Sequence, residues 1–503
     1  MIELSNAWVS IACLWVAYLV YGIIWRLYLS PIAQFPGSKW AALTLWYEFY
    51  FEIIKRGKYF QEIERMHSVY GPIVRISPYE IHVKDPDWYD ELYTSSNRRR
   101  DKSAWHVGPT GGDSIFGTIP HEHHRLRRSA LNPFFSKRSI IGIEPLVQDK
   151  VKKLCNAVER YIQSGKPLEL QTAYMALTLD VISHYAFGES FELSEKEGFS
   201  PEWKKALLNV IESATVNRHL PWLADCLMLL PDSVAARLSK PIAFFLQVRK
   251  DVRKQVEKVL ARKRDPLKAH KTIFEELRDS DLPAQEKTIE RLVDDGFVLV
   301  TAGGETTAQT LAVLTFHLLN NPDILCELRT ELDQAMPDAA VLECWQTLEQ
   351  LPYLRAVITE AHRIAAVITA RLIRIAPTEN LRFQGRDIPA GTPISMTTHF
   401  INLDPTIFPD PHKFDPHRWL RNREERNRLE KYVIPFSKGS RACIGLHLAN
   451  CELYLVLAAM IRRFDLELYE TSERDIEITW DAFAGRFREE SKGVRVRLTG
   501  VRE

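Results

Sequence analysis

The stretch FSKGSRACIG, Phe436 to Gly445, decides the reading of this chain. One cysteine, Cys443, sits in a loop with two glycines, an arginine and an aromatic residue. The long apolar run LHLANCELYLVLAAMI follows at once. A thiolate just ahead of a helix is stabilised by the helix's N-terminal partial charge and free N–H groups. Glycine lets the backbone take up positive φ and approach a flat group closely. Arg441 is suited to pair with an anion, and Phe436 to pack on a planar face. An isolated cysteine in apolar surroundings is also compatible with a plain buried structural residue, and the loop alone leaves both readings open.

Working outward, the next irregular stretch is TAGGETTAQT, Thr301 to Thr310, inside VDDGFVLVTAGGETTAQTLAVLTFHLL. Two adjacent glycines cost a helix interior roughly 1–2 kcal/mol relative to alanine. A Glu-Thr-Thr run adds polar groups to the same apolar turn, and a helix that breaks local rules at one turn invites a functional reading. A third feature is EAHR, Glu360 to Arg363, whose i, i+3 spacing puts carboxylate and guanidinium on one helical face. A fourth is HEHHRLRRSALNPFFS, beginning at His121. Its histidine cluster is set aside as a metal site, and a solvated basic helix face is the plain alternative for the segment.

These four stretches resemble the cytochrome P-450 family. The loop matches F-x-x-G-x-R-x-C-x-G at Phe436, Gly439, Arg441, Cys443 and Gly445. The resemblance implies haem b as cofactor, with Cys443 as the axial metal ligand and Phe436, Gly439 and Arg441 around the haem. The turn Ala302 to Thr307 matches [AG]-G-x-[DE]-T-[TS], which makes Glu305 and Thr306 the expected acid–alcohol pair that delivers protons. E-x-x-R implies a structural network of Glu360, Arg363 and a later arginine, Arg418. The family's usual glutamate before that arginine is replaced by His417. His124 and Arg128 resemble the W-x-x-x-R segment, with His in place of Trp, and Arg371 resembles a further arginine that meets haem propionates. Substrate candidates on the same grounds are Val298, Thr301, Ala302, Val367, Ile368, Phe483 and the 103–118 segment.

The rest of the chain agrees with this reading. From Leu4 to Trp25 there is no charged residue, a helical span of roughly 33 Å, about one bilayer core. A cleaved signal peptide is disfavoured because no Lys or Arg precedes the run and no A-x-A site follows it. Arg26 and Lys39 lie after the span, which puts the bulk of the chain on the cytosolic side. We therefore expect a membrane anchor at 1–29, a proline hinge at 30–40 (Pro31, Pro36, Gly37) and one catalytic domain over 30–503. Seven scattered cysteines without a CxxC pair fit a reducing compartment. A net charge of +1 argues against nucleic acid as partner.

Helical patterns are expected at 146–164, 201–218, 242–264, 285–320, 322–336, 353–365 and 446–463. Short strands are expected near 73–76, 80–84, 381–383, 393–396 and 494–498. The fold class is therefore mainly α with small β-sheets, a haem-thiolate monooxygenase fold behind one N-terminal transmembrane helix. The family resemblance, closest to fungal microsomal members, implies a single-pass protein of the endoplasmic reticulum membrane. It also implies electrons from a membrane-bound NADPH–haem-protein reductase and an apolar small-molecule substrate of secondary metabolism (terpenoid, polyketide or alkaloid). The alternative is a thiolate-haem isomerase or dehydratase that uses no O2.

Overall fold

Two apolar runs of similar character become very different helices. The computed structural model describes all residues except 1, 108–110, 223–225, 227–228, 232–233, 235–236, 238–239, 264–270, 366 and 503. The N-terminal helix Ile2–Ile24 continues into a π-helical turn, Trp25–Leu29. Its span Trp8–Leu29 is apolar overall and long enough to cross a bilayer, and the most apolar window of it has no buried residue. Leaving such a surface in water would cost roughly 25 cal/mol per Å2, so its apolar side chains require another apolar phase. The central helix Ile289–Asn320 passes the same length test, yet most of its surface is buried in the protein.

The expected proline hinge is packed down. Ile32 and Phe35 are buried, and Arg75 N–H donates to Pro36 O at 2.7 Å. Arg26 at the base of the anchor donates to Leu43 O (2.7 Å), while Arg75 Nη1 donates to Arg26 O (2.6 Å).

Helices form the body. Those at Lys137–Ser164, Pro201–His219, Lys240–Ala261, Pro322–Ala335, Pro352–Ile364 and Leu446–Arg463 fall where periodicity placed them, apart from shifts at their ends. The expected 242–264 helix closes at Ala261, and its last residue lies outside the described residues.

Helix Leu170–Phe187 was not expected. All of its residues except His184 are buried, so it has no polar face and no period to read. It packs along the central helix, with Tyr174 OH and Thr315 Oγ1 3.1 Å apart and Thr178 Oγ1 donating to Gly304 O at 2.7 Å.

Among the described residues, four small sheets lie beside this body. The largest has the order β1 (Ile73–Arg75), β2 (Ile81–Val83), β7 (Pro393–Ser395), β4 (Arg374–Ile375), with β2 and β7 parallel. A second is β3 (Leu168–Glu169), β11 (Arg495–Val501), β8 (Phe464–Leu468). Hairpins β5 (Leu381–Phe383)–β6 (Arg386–Ile388) and β9 (Ile478–Ala482)–β10 (Ala484–Phe487) complete the set. The β9–β10 hairpin turns at Phe483, which holds φ at 73°. Gly485 N–H donates to Val367 O (3.0 Å), and Gln309 of the central helix donates to Gly485 O (3.2 Å).

Two interior histidines make stability pH-dependent. His317 stacks on Phe414 at 4.9 Å, and His399 packs by Phe60. Burial holds each at about 4, against about 6.5 in an unfolded chain. The unfolded state therefore takes up their protons first as pH falls from 6.5 to 4, and stability falls with it, by about 2 kcal/mol per histidine at pH 5. Thermal midpoints should be lower at pH 5 than at pH 7.5, and His317→Phe, which keeps the stacking, should narrow the gap. An unchanged gap would remove His317 from the effect.

Candidate functional site: a thiol facing a ring of cations

The cysteine loop is shaped by its own backbone. Gly439 holds φ at 75°, and a Cβ there would collide with the carbonyls of Tyr93 and Thr94. A 3-10 turn, Gly439–Arg441, follows, and Cys443 N–H donates to Phe436 O at 2.8 Å. Helix Leu446–Arg463 begins just beyond, with Gly445 as its cap, and the Gly445 N–H donates to the Cys443 sulfur. Cys443 lies deep in the protein yet keeps accessible surface, as a side chain lining an internal chamber does. Burial pushes its thiol up, while the Gly445 amide and Arg128 draw it down; the net direction is up. Phe436 packs edge-on to His362 at 5.1 Å.

Cations converge beside this loop. Arg441 donates to Thr118 O (2.6 Å) and Ile119 O (2.7 Å), and its Nε has no partner. Burial and neighbouring Arg374 and Arg128 bring Arg441 down to about 9. His124 is held at about 2 by burial and by Arg441, Lys102, Arg128 and Arg374. Lys102 is pulled well below its usual range by burial and the same two arginines, 374 and 441. Arg128 donates to Ala442 O (2.8 Å) and to Asn132 (2.6 Å), so it also ties down the residue before the cysteine.

Arg371 is not in this group. It is buried against Glu48 (2.5 Å), Glu80 (3.0 Å) and Glu52 (3.6 Å), which consume its charge and correct the expected assignment. Arg374, three residues on, stands with the cations instead and packs over Tyr93. An odd spacing in an extended segment puts the two arginines on opposite faces, a signal the sequence contained but could not orient.

Across the chamber lies the central helix. Val298, Thr301, Ala302 and Thr306 keep accessible surface while residues on either flank are buried. Their i, i+3, i+4 spacing makes one inward stripe. Thr306 Oγ1 donates to Ala302 O at 3.1 Å, and Thr301 Oγ1 to Phe297 O at 2.9 Å.

The two glycines make room for a neighbouring helix. A Cβ on Gly304 would stand 2.6 Å from Leu179, and one on Gly303 would stand 3.2 Å from Ile182. They admit the neighbouring helix, and Ala302 presents the small surface to the chamber. Glu305 is buried and ion-paired with Arg486 of β10. Phe483 meets Phe116 edge-on at 5.8 Å, and Ile368 bridges to Ala484. Within the 103–118 segment, 108–110 lie outside the described residues.

The E-x-x-R pair sits apart from the chamber stripe as a fully buried knot. Arg363 binds Glu360 through two bonds, 2.9 and 2.7 Å, and also reaches the carbonyls of Asn402, Pro411 and Lys413. Glu360 accepts from Asp415 N (3.0 Å) and Trp419 Nε1 (3.1 Å), with Arg418 Nε at 3.5 Å. His417 points outward toward Glu327 (3.5 Å), so the knot closes without the residue it replaces.

These residues fit a haem. His124, Lys102 and Arg441 share one region with Arg374 and Arg128, and each of the first three is lowered by cations among the others. Two carboxylates would relieve that repulsion and supply Arg441 Nε with a partner. Cys443 would supply the sulfur, and the central helix offers an accessible stripe at Val298, Thr301, Ala302 and Thr306.

Such a site defines a haem-thiolate protein. A family model described as Cytochrome P450 matches residues 42–488. The chain is 42% identical over 474 residues to a tryptophan 6-hydroxylase of Fusarium equiseti, covering 94% of this chain and 93% of that protein. It is 42% identical to a conidiogenone synthase of Penicillium rubens, with 95% and 96% covered. It is 39% identical to an N-acetyltryptophan 6-hydroxylase of Emericella nidulans, with 98% and 97% covered. The chain belongs to the cytochrome P450 family, and it is a monooxygenase. The comparisons support O2-dependent oxidation and not the isomerase alternative. The family implies a haem-thiolate iron, a small-molecule substrate and a redox partner, and the N-terminal apolar helix suits a membrane anchor.

Proposed function

We propose that this monooxygenase binds haem b through Cys443 and oxidises an apolar small molecule of fungal secondary metabolism, of terpenoid, polyketide or alkaloid type. The relatives' own names, which include hydroxylases of tryptophan and its N-acetyl derivative, support an indole-bearing or similarly flat substrate. The observation that carries the reading is the gathering of four cationic side chains, Arg441, Arg374, Lys102 and Arg128, with neutral His124 among them, beside the Cys443 loop. When bound, the haem supplies oxidation by activated O2, with electron donation from the thiolate favouring O–O cleavage.

The chain's own residues do the rest. Arg441, Arg374, Lys102 and His124 hold the propionates, and Arg128 fixes the Ala442 carbonyl and favours the thiolate. Thr306 presents its hydroxyl on the inward stripe as proton donor and acceptor. Glu305, ion-paired with Arg486, is the acid member of the acid–alcohol pair and relays protons to Thr306. Ala302, Thr301, Val298, Val367, Ile368 and Phe483 wall the substrate and keep water out. Residues 30–503 act as one catalytic domain on the cytosolic side of the endoplasmic reticulum. They are held there by the 1–29 anchor and receive electrons from a membrane-bound NADPH–haem-protein reductase.

The test uses the full chain in membranes with that reductase. Product should form only with both NADPH and O2, and turnover without O2 would overturn the reading. Thr306→Ala should lower the product formed per NADPH by about 5-fold or more, with peroxide making up the difference. Unchanged coupling would remove Thr306 from proton delivery.

A further inference from the structure

The β9–β10 hairpin is rooted on a segment from the N-terminal part of the body. Asp481 N–H donates to Gly57 O at 2.9 Å, and Lys58 Nζ donates to Thr479 O. Gly57 holds φ at 66°, and a Cβ there would strike the Asp481 carbonyl, so the two backbones are in closest approach. Beyond this root the hairpin reaches the site twice. Phe483 lies at its tip, and Arg486 pairs with Glu305.

Beside the root lies a buried cluster of charge with too few cations. Glu48 and Glu52, from the turns Trp46–Phe49 and Tyr50–Ile54, share it with Glu80 and Asp481. Two guanidiniums, Arg371 and Arg218, act on these carboxyls. Arg486 also acts on Asp481 but is already paired with Glu305. Burial holds His219 at about 4, although Glu48 draws it up, so it adds no charge near neutrality. Four carboxylates against two guanidiniums would leave buried negative charge uncompensated, a cost that protonation removes.

The partners decide where the proton sits. Arg371 stands 2.5 Å from Glu48 and 3.0 Å from Glu80, but 3.6 Å from Glu52. Against its burial, Arg371 and Arg218 hold Glu48 below the usual range. Hydroxyls serve two of the others: Ser395 donates to Glu80 and Thr369 to Asp481, each at 2.6 Å. Glu52 is the glutamate Arg371 serves least. Burial, and then the charge of Asp481, push it up to about 8, and burial raises Asp481 too. We propose that Glu52 and Asp481 share one proton at the root of the hairpin. Its loss to water in alkaline solution sets two like charges there and frees the hairpin, an alkaline switch acting on the chamber through Phe483 and Arg486. The groups that face the pair are Glu48 and Tyr59, Arg371 with its partner Glu80, Arg218 with His219, and Arg486. The bearing on the chamber rests on the haem reading above, whereas the root itself does not.

The experiment uses the haem-loaded full chain with Glu52→Gln and Asp481→Asn, which keep the shape of each group and cannot ionise. Amide hydrogen exchange over 478–487 is compared between parent and variants at one pH. The rates should match at pH 6.5, and the parent should run about 10-fold or more faster at pH 9. Stability gives a second reading. An unfolded glutamate loses its proton near 4.3, so between there and about 8 the folded parent holds a proton that the unfolded chain has lost. Parental stability therefore falls as pH rises through that window, and Glu52→Gln escapes the fall. Its thermal midpoint should gain on the parent's by roughly 3 °C or more between pH 5.5 and 8.5. The chamber is read by two iron-ligating probes, imidazole and 1-phenylimidazole, through their haem spectral shifts. Their affinity ratio in the parent should change by about 3-fold or more from pH 7 to 9, and stay flat in both variants.

Equal exchange in parent and variants at pH 9 overturns the switch. So does a parental probe ratio that ignores pH, because the loosened root would then leave the chamber untouched. Failure of both variants to fold also overturns it, since a shared proton makes a neutral side chain an acceptable substitute. A parent that gives no spectral shift with imidazole would strike the haem reading instead, and the exchange and midpoint comparisons would still decide the fate of the root.

Discussion

Cys443→Ser is expected to abolish the absorption band that marks thiolate ligation in the reduced, CO-bound protein. Burial already pushes the Cys443 thiol up, so the thiolate depends on the iron for its stability, and metal binding and deprotonation are one event. A serine hydroxyl loses its proton far less readily than a thiol. In the same pocket it would stay neutral and donate little electron density. The loop itself should survive, because its shape comes from the Gly439 turn, the Cys443 N–H bond to Phe436 O and the Arg128 bond to Ala442 O. Oxygenation should fall by at least about 100-fold, since the electron donation that favours O–O cleavage is lost. A surviving band in the serine variant would exclude Cys443 as ligand.

Glu360→Ala is expected to prevent stable folding. Its carboxylate satisfies Arg363, Trp419 Nε1 and Asp415 N, with Arg418 alongside, and Glu360 and Arg363 are both fully buried. Removing one partner of a buried, hydrogen-bonded ion pair costs about 3–5 kcal/mol, because the other charge stays behind unpaired. That is a large part of the 5–15 kcal/mol by which domains are typically stable. The measurements are soluble yield and thermal midpoint, with Glu360→Gln as the milder comparison. A Glu360→Ala protein of near-parental midpoint would show that the knot is not structural.

Much of this molecule was legible in its sequence for reasons that differ from part to part. The cysteine loop, the Glu-Thr-Thr turn and E-x-x-R could be read because their chemistry needs fixed residues at fixed short spacings. Amphipathic helices such as Pro352–Ile364 could be read because water touches one side of them. Leu170–Phe187 could not, because a helix buried all round carries no alternation of polar and apolar residues. Arg371 and Arg374 look alike in TARLIRIAP, and only tertiary packing decides which of them meets the three buried glutamates. Gly303 and Gly304 were legible as unusual, but the object they make room for, a neighbouring helix, lies more than a hundred residues away. The bonds from the Asp113 and Ile115 amides to Asp294 and Asp295 were invisible for another reason: backbone amides have no sequence signature.

The tie at the foot of the anchor has a mechanical consequence. Arg26 closes a short bridge, to Leu43 and through its own carbonyl to Arg75, so the N-terminal apolar helix meets the globular body at a braced joint. With the membrane-bound reductase proposed above, a loosely leashed enzyme would sample every orientation above the bilayer, most of them useless to a donor confined to the same plane. A braced one diffuses laterally in a narrow range of poses. Encounters between two such proteins become a search over position more than over rotation, and fewer collisions are wasted.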